Sequence, residues 1–346
     1  MTMLRKLFGR RADASAAAVR SPIEAARREL ERATRELASG NHRAAVPAFE
    51  RVLELKPSDP MARSAQVLRG LALARQAESD ARVAEPTEIP ASRAGYLLSF
   101  IICSADPARF QRVSANIAER FREVRHEIVG IHDARSLCEG YNRGVARSRG
   151  EILVFCHDDI EIVSPDAAGK LLGSFDDCQI VGVAGTRRMT TGGFWSGAGW
   201  PDVQGQVHHP WQGPGVTVAV YGLAERLVRG AQALDGLFFA AVREVCEGRP
   251  FDANTFDGWH LYDLDFTFGA FLAGYSVSIR TDLLLRHASK GRNDDARRRY
   301  AVRFDDKYRT ALRGADPPGT DGGIGVQFRS DEEWRCATEW AFREAP

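Results

Sequence analysis

The sequence predicts an α/β protein built on a Rossmann-like sheet, preceded by a small all-α segment. Three observations carry that expectation. From Tyr96 onward, short and almost uniformly apolar runs alternate with amphipathic stretches of helical length. Between residues 21 and 77, small and apolar residues recur only at helical spacing. The chain has 346 residues, 44% of them hydrophobic and 27% charged, which suits one large unit with a smaller appendage.

Taken in order, residues 1–20 (MTMLRKLFGRRADASAAAVR) are basic and Ala-rich and read as a disordered arm. They lack the apolar core of a signal peptide. Ser21-Pro22 followed by Glu24 starts a helix, with Ser at the N-cap and Pro in the first turn. Ser39-Gly40-Asn41 breaks it, and a second helix carries Ala44, Ala45, Ala48, Phe49, Val52 and Leu53 near one stripe. Lys56-Pro57-Ser58-Asp59-Pro60 stops that helix, and a third runs from about Met61 to Ala77. The segment ASGNHRAAVPAFERVLELKPSDPMA resembles a tetratricopeptide repeat. That resemblance implies a packing appendage or a surface for a protein partner; a plain helical hairpin is the alternative. Residues 78–94 are polar, contain two prolines and read as a linker.

The main unit is expected over 95–312. YLLSFIIC is a strand, and DPARFQRVSANIAERF a helix capped by Asp106 with Pro107 in its first turn. HEIVGI, SLCEGYNRGVARS and EILVFC follow as strand, helix and strand. Their apolar residues run on without alternation, as in strands covered on both faces. Gly130, Gly144 and Gly150 form no GxGxxG, so dinucleotide binding loses its main support. QIVGVAGT (179–186) is a further strand, and 190–214 is rich in Gly, Trp and His and irregular. VTVAVYG and RGAQALDGLFFAAVRE read as strands around an Asp235-Gly236 bend. A helix over 264–273, a strand over 276–279 and a loop over 315–324 complete it. Trp334 and Trp340 mark residues 313–346 as a tail packed on the domain.

Composition excludes several classes. With 47 basic and 46 acidic side chains, the net charge of +1 argues against nucleic-acid binding by bulk charge. Six cysteines with no CxxC spacing form neither a disulfide scaffold nor a zinc ribbon, and they point to a reducing compartment. The best apolar run, Tyr96 to Cys103, is far too short to span a bilayer. A cytoplasmic setting, extending to the inner face of a membrane through the basic arm, is the expectation.

Chemistry concentrates in three places. FCHDDIEI puts His157, Asp158 and Asp159 directly after a buried strand, where α/β sheets hold ligands and carboxylates hold hard cations. Capping of the next turn is the plainer reading of the two acids. A second cluster runs from Asp257 to Asp265, with Asp263 and Asp265 at a helix start, where negative charge is favoured. The third is His287, in LLLRHASKG beyond a strand.

From Tyr96 to about Gly291 the chain resembles the inverting glycosyltransferases of family 2, built on the GT-A fold. The likeness rests on EIVGIHDARSLCEGYNRGVARSRGEILVFCHDDIEI, LDGLFFAAVRE and FDANTFDGWHLYDLDFTFGAFLAGYSV. It implies a hexosyl-type transfer from a nucleotide-diphosphate sugar, with Mn²⁺ or Mg²⁺ as cofactor, to a glycan, lipid or protein acceptor. Asp159 matches the last Asp of the Asp-Xaa-Asp motif, and His157 stands at its first position. His287 matches a His that completes the metal site. Asp263 matches the catalytic base, Tyr262 replaces the acid before it, and Asp265 is the supporting carboxylate. The resemblance assigns the donor to Cys103, Ser104, Asp133, Asn142, Arg143 and Asp158, and the acceptor to Asp235, Trp259 and His260. His157 and Tyr262 also admit a catalytically weakened binding or scaffold protein on the same fold. A nucleotidyltransferase-like enzyme is a third reading.

Overall fold

The computed structural model describes residues 22–55, 59–76, 87–209, 215–289, 294–319 and 323–343. The basic arm, the last residue of the expected helical segment (77) and residues 78–86 of the expected linker lie outside the described residues. Three helices come first: α1 (Pro22–Ala38), α2 (His42–Glu54) and α3 (Asp59–Gln76). Thr87 then bonds to Asp166, and Arg93 donates to the carbonyl of Phe175, so residues 87–94 run along the next unit.

The alternation read from the sequence follows: β1 (Leu98–Cys103), α4 (Pro107–Arg120), β2 (His126–Ile131), α5 (Leu137–Arg147) and β3 (Ile152–Cys156). Asp106 caps α4 by accepting from the amides of Ala108 and Arg109, and Ser136 caps α5 through the amide of Glu139. Beyond β3 come β4 (Ile160–Ile162), α6 (Ala167–Ser174), β5 (Ile180–Gly182) and β6 (Ala184–Thr186). Next are β7 (Val203–His208), β8 (Val216–Gly222), β9 (Leu227–Arg229), β10 (Ala233–Leu234) and β11 (Phe238–Val242). The chain continues through α7 (Arg243–Gly248), α8 (Tyr262–Leu272), β12 (Val277–Arg280), β13 (Leu285–His287) and α9 (Asp295–Lys307). It closes with β14 (Ile324–Phe328) and α10 (Asp331–Arg343).

The strands form two mixed sheets. The first has the order β2-β1-β3-β11-β5-β12-β9, parallel across β2-β1-β3 and antiparallel on both sides of β11. The second has the order β10-β6-β7-β13-β4, with β8 on β7 and β14 on β8. Both faces of the first sheet are covered. Ile101, Leu153, Phe155 and Phe239 face one core with Phe251, Phe256 and Phe266, while Phe100, Ile102, Val154 and Phe238 face another with α4 and α6. Non-alternating strand sequences are thereby explained.

Two details differ from the expectation. The strand predicted over 179–186 is two strands, because the chain leaves the first sheet at Val183 and β6 pairs with β7 in the second. Uniform apolar character cannot reveal such a crossing, since both halves are buried. Helix α8 starts at Tyr262, two residues earlier than expected, so Asp263 stands inside its first turn.

The N-terminal helices share their core with β8, β14 and α10. Gly70 of α3 crosses α10 so closely that a Cβ there would lie 2.3 Å from the carbonyl oxygen of Ala337. Arg75 of α3 pairs with Glu333 of α10 at 2.8 Å. Helix α10 also buries Trp334 completely, and its indole donates to Gln206 at 2.7 Å. Helix α10 thus packs against α3 and the second sheet together. Trp334→Ala should lower stability by about 3–5 kcal/mol through the cavity and the unpaired Gln206, read as an earlier urea midpoint.

Candidate active site

Strand β3 ends at Cys156, and the chain crosses to the second sheet through His157-Asp158-Asp159 before entering β4. Antiparallel pairing of β3 with β11 sets Cys156 opposite Phe238, and the amide of His157 donates to the carbonyl of Leu237 at 3.1 Å. The Asp235-Gly236 bend is thereby held beside the acidic turn. Pairing of β13 with β4 sets His287 opposite Ile160, and the amide of Ala288 donates to the carbonyl of Asp159. Three stretches far apart in sequence meet at one point.

The donor atoms of His157, Asp159 and His287 all lie within 4.8 Å of one another. His157 Nδ1 is 3.2 Å from His287 Nε2 and 4.0 Å from Asp159 Oδ1, and His287 Nε2 is 3.3 Å from Asp159 Oδ1. The hydroxyl of Ser289 stands 3.1 Å from His287 Nε2. Burial, with His287 beside it, holds His157 well below its ordinary value, so the ring is neutral at pH 7. Burial opposes ionisation of Asp159, but its contact with His287 prevails and keeps the carboxyl below its usual range.

Tyr262 fixes which nitrogen of His157 carries the proton. Its hydroxyl lies 2.7 Å from His157 Nε2 and 3.1 Å from the carbonyl oxygen of Gly236. A carbonyl only accepts, so both contacts are satisfied when Tyr262 donates to Gly236 and His157 Nε2 donates to Tyr262. His157 Nδ1 then presents a lone pair toward Asp159 and His287. Two imidazole nitrogens and a carboxylate oxygen that converge in this way fit Mn²⁺ or another cation that accepts mixed nitrogen and oxygen ligands.

Asp263 follows directly. Leu261, a buried residue in the left-handed region at φ 59°, precedes α8, and Asp263 sits in the first turn. Its Oδ2 accepts from the amide of Gly236 at 2.7 Å. Burial first, and the nearby charge of Asp235 second, raise its carboxyl to about 7. Gly236 has no room for a side chain: a Cβ would lie 2.2 Å from the Tyr262 hydroxyl.

The remaining expected residues divide. Cys103, Ser104, His157, Asp158, Asp159 and Trp259 line one cleft of about 270 Å³ at the carboxyl ends of β1, β2 and β3, together with His132 and Tyr141. Ser104 donates to Asp158 at 2.7 Å, and burial pushes the Cys103 thiol up to about 12. Trp259, expected with the acceptor, is thus a wall of the cleft that also holds the donor candidates. Asn142 is engaged elsewhere, its amide both donating to and accepting from the backbone of Phe251. Arg143 pairs with Glu139 and Asp133 on the outer side of α5. Asp265 is buried with Lys307 at 2.6 Å and Tyr308 at 2.7 Å, which ties α8 to α9. His260 faces Asp294 at 3.4 Å, and Asp235 caps its own bend by accepting from the amide of Leu237. Sequence reasoning missed the contacts of Tyr262 and Ser289 with the histidines.

Residues 99–303 match the family described as glycosyltransferase-like. The chain belongs to the glycosyltransferase-like family. No curated protein matches it. Among solved structures, this glycosyltransferase-like chain is similar to the mannosyltransferase PcManGT from Pyrobaculum calidifontis in complex with GDP-Man and Mn²⁺. Identity there is 14% and the TM-score 0.40, over 81% of this chain and 78% of that one. It is also similar to GalNAc-T7 with UDP, GalNAc and Mn²⁺, at 10% identity and a TM-score of 0.42, over 63% of this chain and 50% of that one. Among the described residues, no helix is long and apolar enough to cross a membrane.

Tyr262→Phe should release the His157 tautomer and weaken Mn²⁺ binding by about 10–100-fold, measured by calorimetry. Gly236→Ala, which pushes on the same hydroxyl, should weaken it in the same direction.

Proposed function

We propose that this chain is an inverting, divalent-cation-dependent glycosyltransferase that transfers a sugar from a nucleotide-diphosphate donor to an acceptor hydroxyl, with Asp263 as the base. The observation that carries the reading is the single anchor at Gly236. Its carbonyl orients Tyr262 and hence His157, while its amide orients Asp263. One metal ligand, His157, and the base are thus oriented by one residue.

His157, Asp159 and His287 would hold a divalent ion, which when bound would supply positive charge for a departing diphosphate. The chain's own groups do the rest. The cleft between Ser104 and Trp259 receives the nucleotide, with His132 turned by a contact to the carbonyl of Ser104 at 2.9 Å. Asp263 takes the proton of the acceptor hydroxyl as its oxygen attacks the anomeric carbon. The bond to the diphosphate breaks on the opposite side, so one displacement inverts the configuration. A carboxyl raised to about 7 suits this task, since it is half ionised near neutrality and still a strong enough acceptor. Asp265, locked to Lys307 and Tyr308, positions the start of α8 and takes no part in proton transfer.

The reading as a weakened scaffold was prompted by His157 and Tyr262. Their mutual hydrogen bond makes them a matched pair, which favours an active site over a degenerate one.

Asp263→Asn should reduce turnover by about 10²–10⁴-fold and leave nucleotide–Mn²⁺ binding intact. Assayed with a panel of nucleotide sugars, wild-type turnover should rise with pH through about 7 as Asp263 loses its proton. The same raised value means that the folded state holds that proton more tightly than the unfolded chain. Stability is therefore lost as pH rises from the ordinary carboxylate range to about 7, and Asp263→Asn should melt at a higher temperature than wild type at pH 8. An Asn variant with full turnover would remove the base assignment.

A further inference from the structure

Arg297 stands in the first turns of α9 and reaches back over Gly193 and Phe194. Its guanidinium stacks on the Phe194 ring with 4.0 Å to the centroid and donates one N–H to the carbonyl of Gly193. These two contacts fix the plane of the fork, and among the described residues its other N–H groups have no partner. It lies close enough to Asp263 to feel that charge, yet it does not line the cleft that holds Ser104 and Asp158.

Three other basic residues on α9 are matched to acids, Arg298 to Asp295, Arg303 to Asp257, and Lys307 to Asp252 and Asp265, while Arg299 is exposed to solvent. Arg297 has no carboxylate at ion-pair distance among the described residues, although it is half-buried and its burial disfavours the charge. A desolvated guanidinium without a counter-ion is costly, so the position calls for an anion from outside. Asp263 favours the charge only from beyond ion-pair distance, so it is no contact partner of the fork. Asp235 and Asp263 would by themselves repel an acidic substrate from this side. A fixed cation within electrostatic reach of Asp263 offsets that repulsion.

We propose that Arg297 binds the acceptor, and that the acceptor is an anionic glycan whose carboxylate or phosphate lies beside the hydroxyl offered to Asp263. The proposal rests on the reading of Asp263 as the base.

The test is an NMR titration of the full chain with Mn²⁺, using D-glucose, D-glucuronate and D-glucose 6-phosphate as probes. Wild type should bind at least one anionic sugar about tenfold or more tightly than glucose, as a charge-assisted fork predicts. The preferred probe distinguishes a uronate from a phosphate. Arg297→Gln should abolish the preference, and Arg297→Lys should restore only part of it, with Mn²⁺ affinity and melting temperature unchanged in both. Equal binding of charged and neutral sugars by wild type overturns the proposal without recourse to any variant. A preference that survives Arg297→Gln overturns it too. Loss of Mn²⁺ affinity in Arg297→Gln at an unchanged melting temperature would place the residue on the donor side and overturn it as well. Failure of Asp263 as base would appear in turnover of Asp263→Asn and would leave these binding preferences unmoved.

Discussion

The antiparallel register that sets Cys156 of β3 opposite Phe238 of β11 is the constraint on which the site depends. Each strand ends at that pair, and each hands the chain over between the two sheets. His157-Asp158-Asp159 leaves the first sheet just where Asp235-Gly236 enters it. A slip of β3 by one residue would turn Phe155 out of the aromatic core and carry His157 away from the Asp235-Gly236 bend. Buried aromatic packing on one face, with Phe155 and Phe239 stacked at 5.1 Å, therefore specifies the register that the polar site needs.

Opposing electrostatic effects are balanced in the same small volume. The first turn of α8 and the Gly236 amide favour a negative Asp263, while burial and Asp235 disfavour it more. Asp159 is biased the other way, toward permanent charge. Two carboxylates at one site are thus separated in proton affinity by their surroundings, which suits one to hold a cation and the other to exchange a proton.

Much of this was legible in the sequence, and what was not has a common cause. The strand-helix alternation, the caps at Asp106 and Ser136 and the clustering of His157 to Asp159 are local patterns, and they read directly. The convergence of His157, Asp159 and His287 came only through family resemblance. Contacts between distant side chains did not read at all. Tyr262 looked like a departure from the expected acid, since its partner lies 105 residues away. Asn142 looked like a donor contact, but its amide holds the backbone of Phe251, 109 residues away. In the run Arg297-Arg298-Arg299, composition is uniform, and only helical phase against Phe194 decides which one turns inward.

The crossing of α3 with α10 also has a consequence for biosynthesis. Arg75 and Glu333 are 258 residues apart, so a helix near the beginning of the chain finds its partner near the end. During translation α3 leaves the ribosome with its small-residue face uncovered and stays so until α10 follows. The three leading helices bury part of their surface among themselves but complete their core only with β8, β14 and α10. Loop closure over that distance is entropically costly, so the join between α3 and α10 is a late step of folding.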